Sequence, residues 1–256
     1  MFELLRKFIL FMLLFVVGMS TYLTMQNTTD WRDPLLVQVY PINGDGLSTT
    51  SRYIDDLQES DFQSIENFMK KEATRYRVDI NQPVKISLGP ILREQPPLPP
   101  ANGNPFNVAY WSLSLRWWAY QVTSDFDGRK PDVRLFLVYF DPEQTPTVGH
   151  SLGLQKGLIG IVNLFANQQQ LQTNNFVIAH EMLHTVGATD KYGGPYSLPV
   201  YPTGYADPEK RPLYPQLQAE VMGGRIPLSE TQAIIPFGLE QTSVGATTAS
   251  EIRWLR

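Results

Sequence analysis

Apolar and polar positions along this chain follow two different periods, and the places where one gives way to the other mark its elements. From Pro34 to Pro41 the run PLLVQVYP is short and apolar and is broken by Asn43, Gly44, Asp45 and Gly46, which predicts a strand. Ser60 to Tyr76 sets Phe62, Ile65, Phe68, Met69 and Tyr76 near helical spacing behind a Ser-Asp start, the pattern of an amphipathic helix. Val84 to Leu88 alternates and predicts a second strand. Four prolines between Arg93 and Asn104 fix the backbone and remove amide donors, so an extended surface loop is expected there. Asn104 and Pro105 then open a helix, and the following FNVAYWSLSLRWWAYQV is apolar on all sides, which predicts a helix inside the core. Asp132 to Phe140 (DVRLFLVYF) is the strongest strand signal, nearly continuous in apolar and β-branched residues, as expected of a central strand covered on both faces. Gly157 to Phe165 predicts another strand, whose two glycines suit an edge or a close backbone approach. Lys191 to Gln216 has little periodicity and reads as a long irregular loop, while Ser229 to Ile235 and Thr248 to Leu255 read as short closing helices.

The N-terminus follows another pattern. Behind Arg6 and Lys7, the 18 residues from Phe8 to Met25 carry no charge, close to the roughly 20 that span a bilayer as a helix. A cleaved signal peptide has an apolar stretch of about 7 to 15 residues and a small-residue cleavage site. No alanine precedes Ala73, so residues 1–25 are expected to stay as a membrane anchor; if they are cleaved, the protein is secreted. By the positive-inside rule Arg6 and Lys7 remain cytoplasmic, and residues 34–256 form one extracytoplasmic domain, periplasmic or extracellular.

Composition narrows the chemistry. The chain has 256 residues, is 43% hydrophobic and carries a net charge of −4 with scattered Lys and Arg, which supports a real core and argues against a nucleic-acid partner. It has no cysteine, so any metal must bind through nitrogen and oxygen, and only three histidines are available.

Two of those histidines fall in the stretch NNFVIAHEMLHTVGATDKY, from Asn174 to Tyr192, which reads as a helix capped by Asn174 or Asn175 and closed by Gly187. His180 and His184 are four apart, so on a helix the second is turned only about 40° from the first and raised ~6 Å, and both imidazoles can hold one ion. Catalytic zinc takes three protein ligands, and Asp190 is the candidate for the third. A continued helix would carry Asp190 about 240° away from His184. Gly187 supplies the left-handed turn that brings it back. Glu181 stands beside the first ligand, placed to act as general base on a water activated by the metal. His150, in a loop, is expected to be a solvated side chain, and Glu220 is a rival for the third ligand.

The pattern H-E-x-x-H-x-x-G-x-x-D, read as His180, Glu181, His184, Gly187 and Asp190, resembles the extended zinc motif of the metzincin metallopeptidases, in the version found in snapalysin-like enzymes. Tyr192 extends the likeness to the D-x-Y ending of immune-inhibitor-A-type peptidases. Ala219 to Gly224 looks like the family's methionine turn, with Met222 as its residue. Gly224 stands where several members have a tyrosine, so any help from that position would fall to Tyr192, Tyr201, Tyr205 or Tyr214. The resemblance implies an α/β metzincin-like fold, a twisted mixed sheet with an active-site helix and an irregular C-terminal subdomain. It implies a Zn2+ cofactor, protein or peptide substrates, and an edge strand at Gly157 to Phe165 that pairs with them. The competing expectation is a membrane-anchored binding protein with a structural or inactive zinc site, and Glu181, which such a site does not need, separates the two.

Overall fold

The strand with the most continuous apolar sequence lies in the middle of the molecule's main sheet. In this computed structural model, which describes residues 6–8, 11–12, 15, 29–100, 104–123, 130–154, 157–194 and 196–255, five strands form one mixed sheet. They are β1 (Leu35–Asn43), β2 (Val84–Leu88), β3 (Val133–Phe140), β4 (Leu152–Leu154) and β5 (Ile159–Phe165), in the order β2-β1-β3-β5-β4. All neighbours are parallel except β4, which runs antiparallel to β5 with Gly153 opposite Gly160.

Side chains of β3 alternate between two cores. Val133, Leu135, Leu137 and Tyr139 enter the larger one, with Phe62, Ile65 and Met69 at and in α2 (Gln63–Arg75) and Ile178 and Met182 of α4 (Leu171–Thr185). Ile54 of α1 (Ser48–Asp55) and Ala249 of α5 (Ala246–Glu251) complete this layer. Phe136 and Val138 enter the smaller core, where α3 (Pro105–Thr123) is the one helix among the described residues that covers the other sheet face. Between α4 and α5 the described chain consists of turns, two-residue ladders and one 3-10 turn (Leu239–Gln241).

Four expectations from the sequence are corrected. Gly157 to Phe165 is not an edge strand, because β5 is paired on both sides; its glycines instead allow close packing, a Cβ at Gly160 falling 2.7 Å from Leu135. The sheet's edges are β2 and β4, and the one beyond β5 is β4, only three residues long. Helix α3 is not a core helix: it buries Trp111, Leu115, Trp118 and Ala119 on one stripe, while Phe106, Tyr110, Leu113, Trp117 and Tyr120 face outward. Its apolar composition did not specify a second covering layer, and among the described residues none exists. Ser229 to Ile235 is not helical, since Ala233–Ile234 pairs antiparallel with Ile226–Pro227. Asn174 and Asn175 do not cap α4, which begins at Leu171 behind a 3-10 turn whose cap is Asn167, accepting from Gln169 N at 2.8 Å.

The expected membrane anchor lies mostly outside the described residues. Phe8, Phe11, Met12 and Phe15 are helical and exposed, and no described helix is long and apolar enough to cross a membrane.

Two leucines on α3 test its placement. Leu115→Ala, in the small core, should cost roughly 2–5 kcal/mol in chemical denaturation. Leu113→Ala, on the outer stripe, should change stability by no more than about 0.5 kcal/mol in the domain free of membrane. Equal losses would mean that both faces are covered.

Candidate metal centre

Helix α4 is buried along nearly its whole length, and two asparagines tie it to its neighbours, Asn174 to β5 and Asn175 to α2 and the turn before it. Asn174 Nδ2 donates to Phe165 O at 2.9 Å, and Asn175 Nδ2 donates to Asp61 O at 2.6 Å and to Ser64 Oγ at 2.8 Å. Held from both sides, the helix cannot rotate without losing buried hydrogen bonds.

One turn further on, the two histidines meet the segment that follows. His180 Nδ1 lies 2.9 Å from Val221 O, and His184 Nδ1 lies 2.8 Å from Ala188 O. A carbonyl oxygen only accepts, so each Nδ1 carries the ring hydrogen and each Nε2 presents a lone pair. The two Nε2 atoms are 3.1 Å apart. Asp190 Oδ1 lies 3.2 Å from His180 Nε2 and 3.1 Å from His184 Nε2. Three electron-rich atoms thus form a near-equilateral triangle, an arrangement that repels itself unless a cation or a proton sits among them. Tetrahedral zinc with bonds of ~2.0–2.1 Å requires ligand atoms roughly 3.3–3.4 Å apart, so the triangle fits one face of that polyhedron and leaves its fourth vertex open. Glu181 is close to the same centre: His180, Glu181 and His184 each offer a ligand atom, and these atoms all lie within 4.8 Å of one another. Asp190 Oδ1 is almost equidistant from the two imidazole nitrogens.

Burial opposes ionisation of Asp190, but the His180 and His184 rings, whenever they carry a proton at Nε2, outweigh it and hold its carboxyl below the usual range. Burial likewise disfavours a charged His184, yet Asp190, the Ala188 carbonyl and the Glu181 charge raise its pKa.

Asp190 reaches the histidines because the chain reverses at Gly187, whose φ of 109° lies in the region that side chains avoid. Residues on both sides of Asp190 are then clamped from a distance. Thr189 donates to the Glu251 carboxylate from its amide at 3.0 Å and from its hydroxyl at 2.7 Å. Lys191, only 4% exposed, donates from Nζ to Glu251 at 2.7 Å and to Thr189 O at 2.8 Å. Its amide donates to Met222 O at 2.8 Å.

Met222 is fully buried in the turn beneath His180, next to the carbonyl that accepts from the ring. Glu220, the rival for third ligand, is taken up by this turn: its carboxylate accepts from Met222 N, Gly223 N, Gly245 N and the Thr248 hydroxyl at 2.7–2.9 Å. Burial pushes its pKa up, and these donors partly counter that.

Glu181 is buried, and its Oε2 has no hydrogen-bond partner. Burial raises its pKa above the ordinary glutamate value, against the opposing pull of both histidines. It borders an open cleft together with His150, Asn163, Tyr192, Ser197 and Arg225. Tyr192 stacks on His180 at 6.1 Å, and its hydroxyl is pushed up to about 12, first by burial and then by the Asp190 charge. Of the four candidate tyrosines it is the one lining the cleft, whereas Tyr205 and Tyr214 bond each other at 2.8 Å and Tyr201 lies against Tyr205.

His150 is exposed, as expected of its loop position, and it stands on the rim of the open cleft, where Asn163 Nδ2 holds its loop by donating to His150 O at 3.0 Å. Gly153 and Glu251 escaped notice in the sequence. No local signal marks Glu251, which lies 60 residues beyond its partner Lys191. A Cβ on Gly153 would fall 2.5 Å from His184 Cβ and 2.6 Å from Glu181 O, so only glycine lets β4 lie this close to α4.

His180→Ala or His184→Ala should abolish stoichiometric zinc binding in a chelator-competition titration. Glu251→Ala should weaken it by roughly 10–100-fold while leaving the protein folded, because the loop bearing Asp190 loses its clamp. Unchanged affinity in Glu251→Ala would remove that positioning role.

No protein-family model matches this chain, and no curated protein matches it in a sequence comparison. Its chemistry therefore has to be inferred from the site's own geometry.

Proposed function

We propose that this protein is a zinc-dependent peptidase of metzincin type, with His180, His184 and Asp190 as metal ligands and Glu181 as general base. The observation that carries the reading is the buried Glu181 carboxylate, with one oxygen unpartnered, beside three converging ligand atoms and open to a cleft. A purely structural site needs no such group. When bound, the metal supplies Lewis acidity, polarising a scissile carbonyl and lowering the pKa of water.

The residues of the chain do the rest. Glu181 takes a proton from the attacking water and returns it to the leaving amine, a task its raised pKa suits. Tyr192 keeps its proton across the working range and offers a neutral donor at the cleft wall. The outer edge of β4, at the end of the sheet and against α4, supplies backbone groups to an extended peptide. Substrates are accordingly proteins or peptides. The uncharged N-terminal run supports placing the domain on the outer side of a membrane.

The decisive variant is Glu181→Gln. It should retain one equivalent of zinc by elemental analysis and lose roughly 10²–10⁴-fold in cleavage of a casein or peptide substrate. Retained cleavage would remove the mechanism. Gly153→Ala should also lower cleavage, by displacing β4 from the site while the ligands remain in place.

A further inference from the structure

Helix α3 carries an apolar face that the peptidase reading does not use. Phe106, Tyr110, Leu113, Trp117 and Tyr120 recur at intervals of four and three residues, and each is at least 60% exposed. They form one stripe about 21 Å long on a straight helix. Arg116, the single charged residue of α3, lies instead against Gly157, so the stripe itself is uncharged. Rings with a polar tip, such as Trp117, Tyr110 and Tyr120, are the side chains that settle at the boundary between hydrocarbon and headgroups.

Where the stripe ends is informative. Arg134 Nη1 donates to Thr123 Oγ1 at 3.1 Å, and Leu36 N donates to Asp132 Oδ2 at 2.9 Å, so the C-terminal end of α3 lies at the end of the sheet where β1 enters. The domain's packing starts just before that strand: Thr29 is buried, and Trp31 Nε1 donates to Ile252 O at 2.7 Å. Only residues 26–28 separate Thr29 from Met25, the end of the segment expected to enter the membrane, a span of at most roughly 14 Å. A run that enters a bilayer therefore holds this end of the domain against the headgroups. So short a tether makes any apolar surface at that end a neighbour of the membrane at high effective concentration.

We propose that the outer stripe of α3, led by Trp117 and Tyr120, sits in the interfacial layer of the bilayer that takes up the N-terminal run. The contact extends the anchored localisation proposed above and is independent of the peptidase chemistry. Since α3 and α4 cover opposite sheet faces, it leaves the cleft open to substrates in solution.

Trp117 reports on the contact, because the other four tryptophans are buried. Full-length protein is reconstituted into phosphatidylcholine–phosphatidylglycerol vesicles, and flotation shows whether the chain is anchored. Emission of Trp117 is obtained as the difference between the wild type and Trp117→Phe, with and without lipids brominated near the headgroup. The proposal expects both proteins to float and the Trp117 emission to be quenched at least twofold by the brominated lipid. Flotation without quenching overturns the proposal and leaves the anchor intact. Protection of Trp117 from iodide that rises with protein concentration, without lipid quenching, also overturns it and assigns the stripe to a second copy. Failure to float overturns both the anchor and the contact, while cleavage assayed separately on a soluble peptide reports on the site alone.

Discussion

Three lone-pair-bearing atoms within 3.2 Å of one another are the constraint on which the rest of this structure depends. Water would separate them, and the fold does not let them separate. Both Nδ1 hydrogens are committed to backbone carbonyls, so neither ring can turn its lone pair away without leaving a buried carbonyl unpaired. A divalent cation turns this mutual repulsion into coordination, and the arrangement is preorganised for one.

Much of the molecule serves that triangle. Asn174 ties α4 to β5 of the sheet, and Asn175 ties it to α2 and the turn before it, so the rotation of α4 is fixed. Glu220 gathers four donors to shape the turn whose Val221 carbonyl orients His180. Glu251 holds the loop on both sides of Asp190. These two carboxylates organise backbone, which leaves Glu181 as the acidic group beside the ligands with an oxygen to spare.

What was legible in the sequence was what is local. Two histidines one helical turn apart, and a glycine that reverses the chain before an aspartate, are short-range facts, and a helix through both histidines and a positive φ at Gly187 are found as the pattern implied, although the helix begins earlier, at Leu171. The central strand was legible because a run covered on both faces leaves a continuous apolar signature. The misreadings came where one composition serves two structures. Asparagine caps helices and also clips them to neighbouring strands, with the same hydrogen bonds. An apolar helix does not say what will cover it, so α3 read as core although half of it faces out. Leu152–Leu154 is too short to show a period, and the edge strand beyond β5 went unseen. Glu251 acts across 60 residues of chain, a distance over which no spacing rule operates.

The most direct measurement is anomalous X-ray scattering at the zinc absorption edge from crystals grown with the metal. The account requires a single strong peak within bonding distance, about 2.0–2.2 Å, of His180 Nε2, His184 Nε2 and Asp190, with Glu181 facing the open vertex. Density at another position, or a bound ion that engages Glu181 in place of Asp190 and leaves no vertex open, would contradict it.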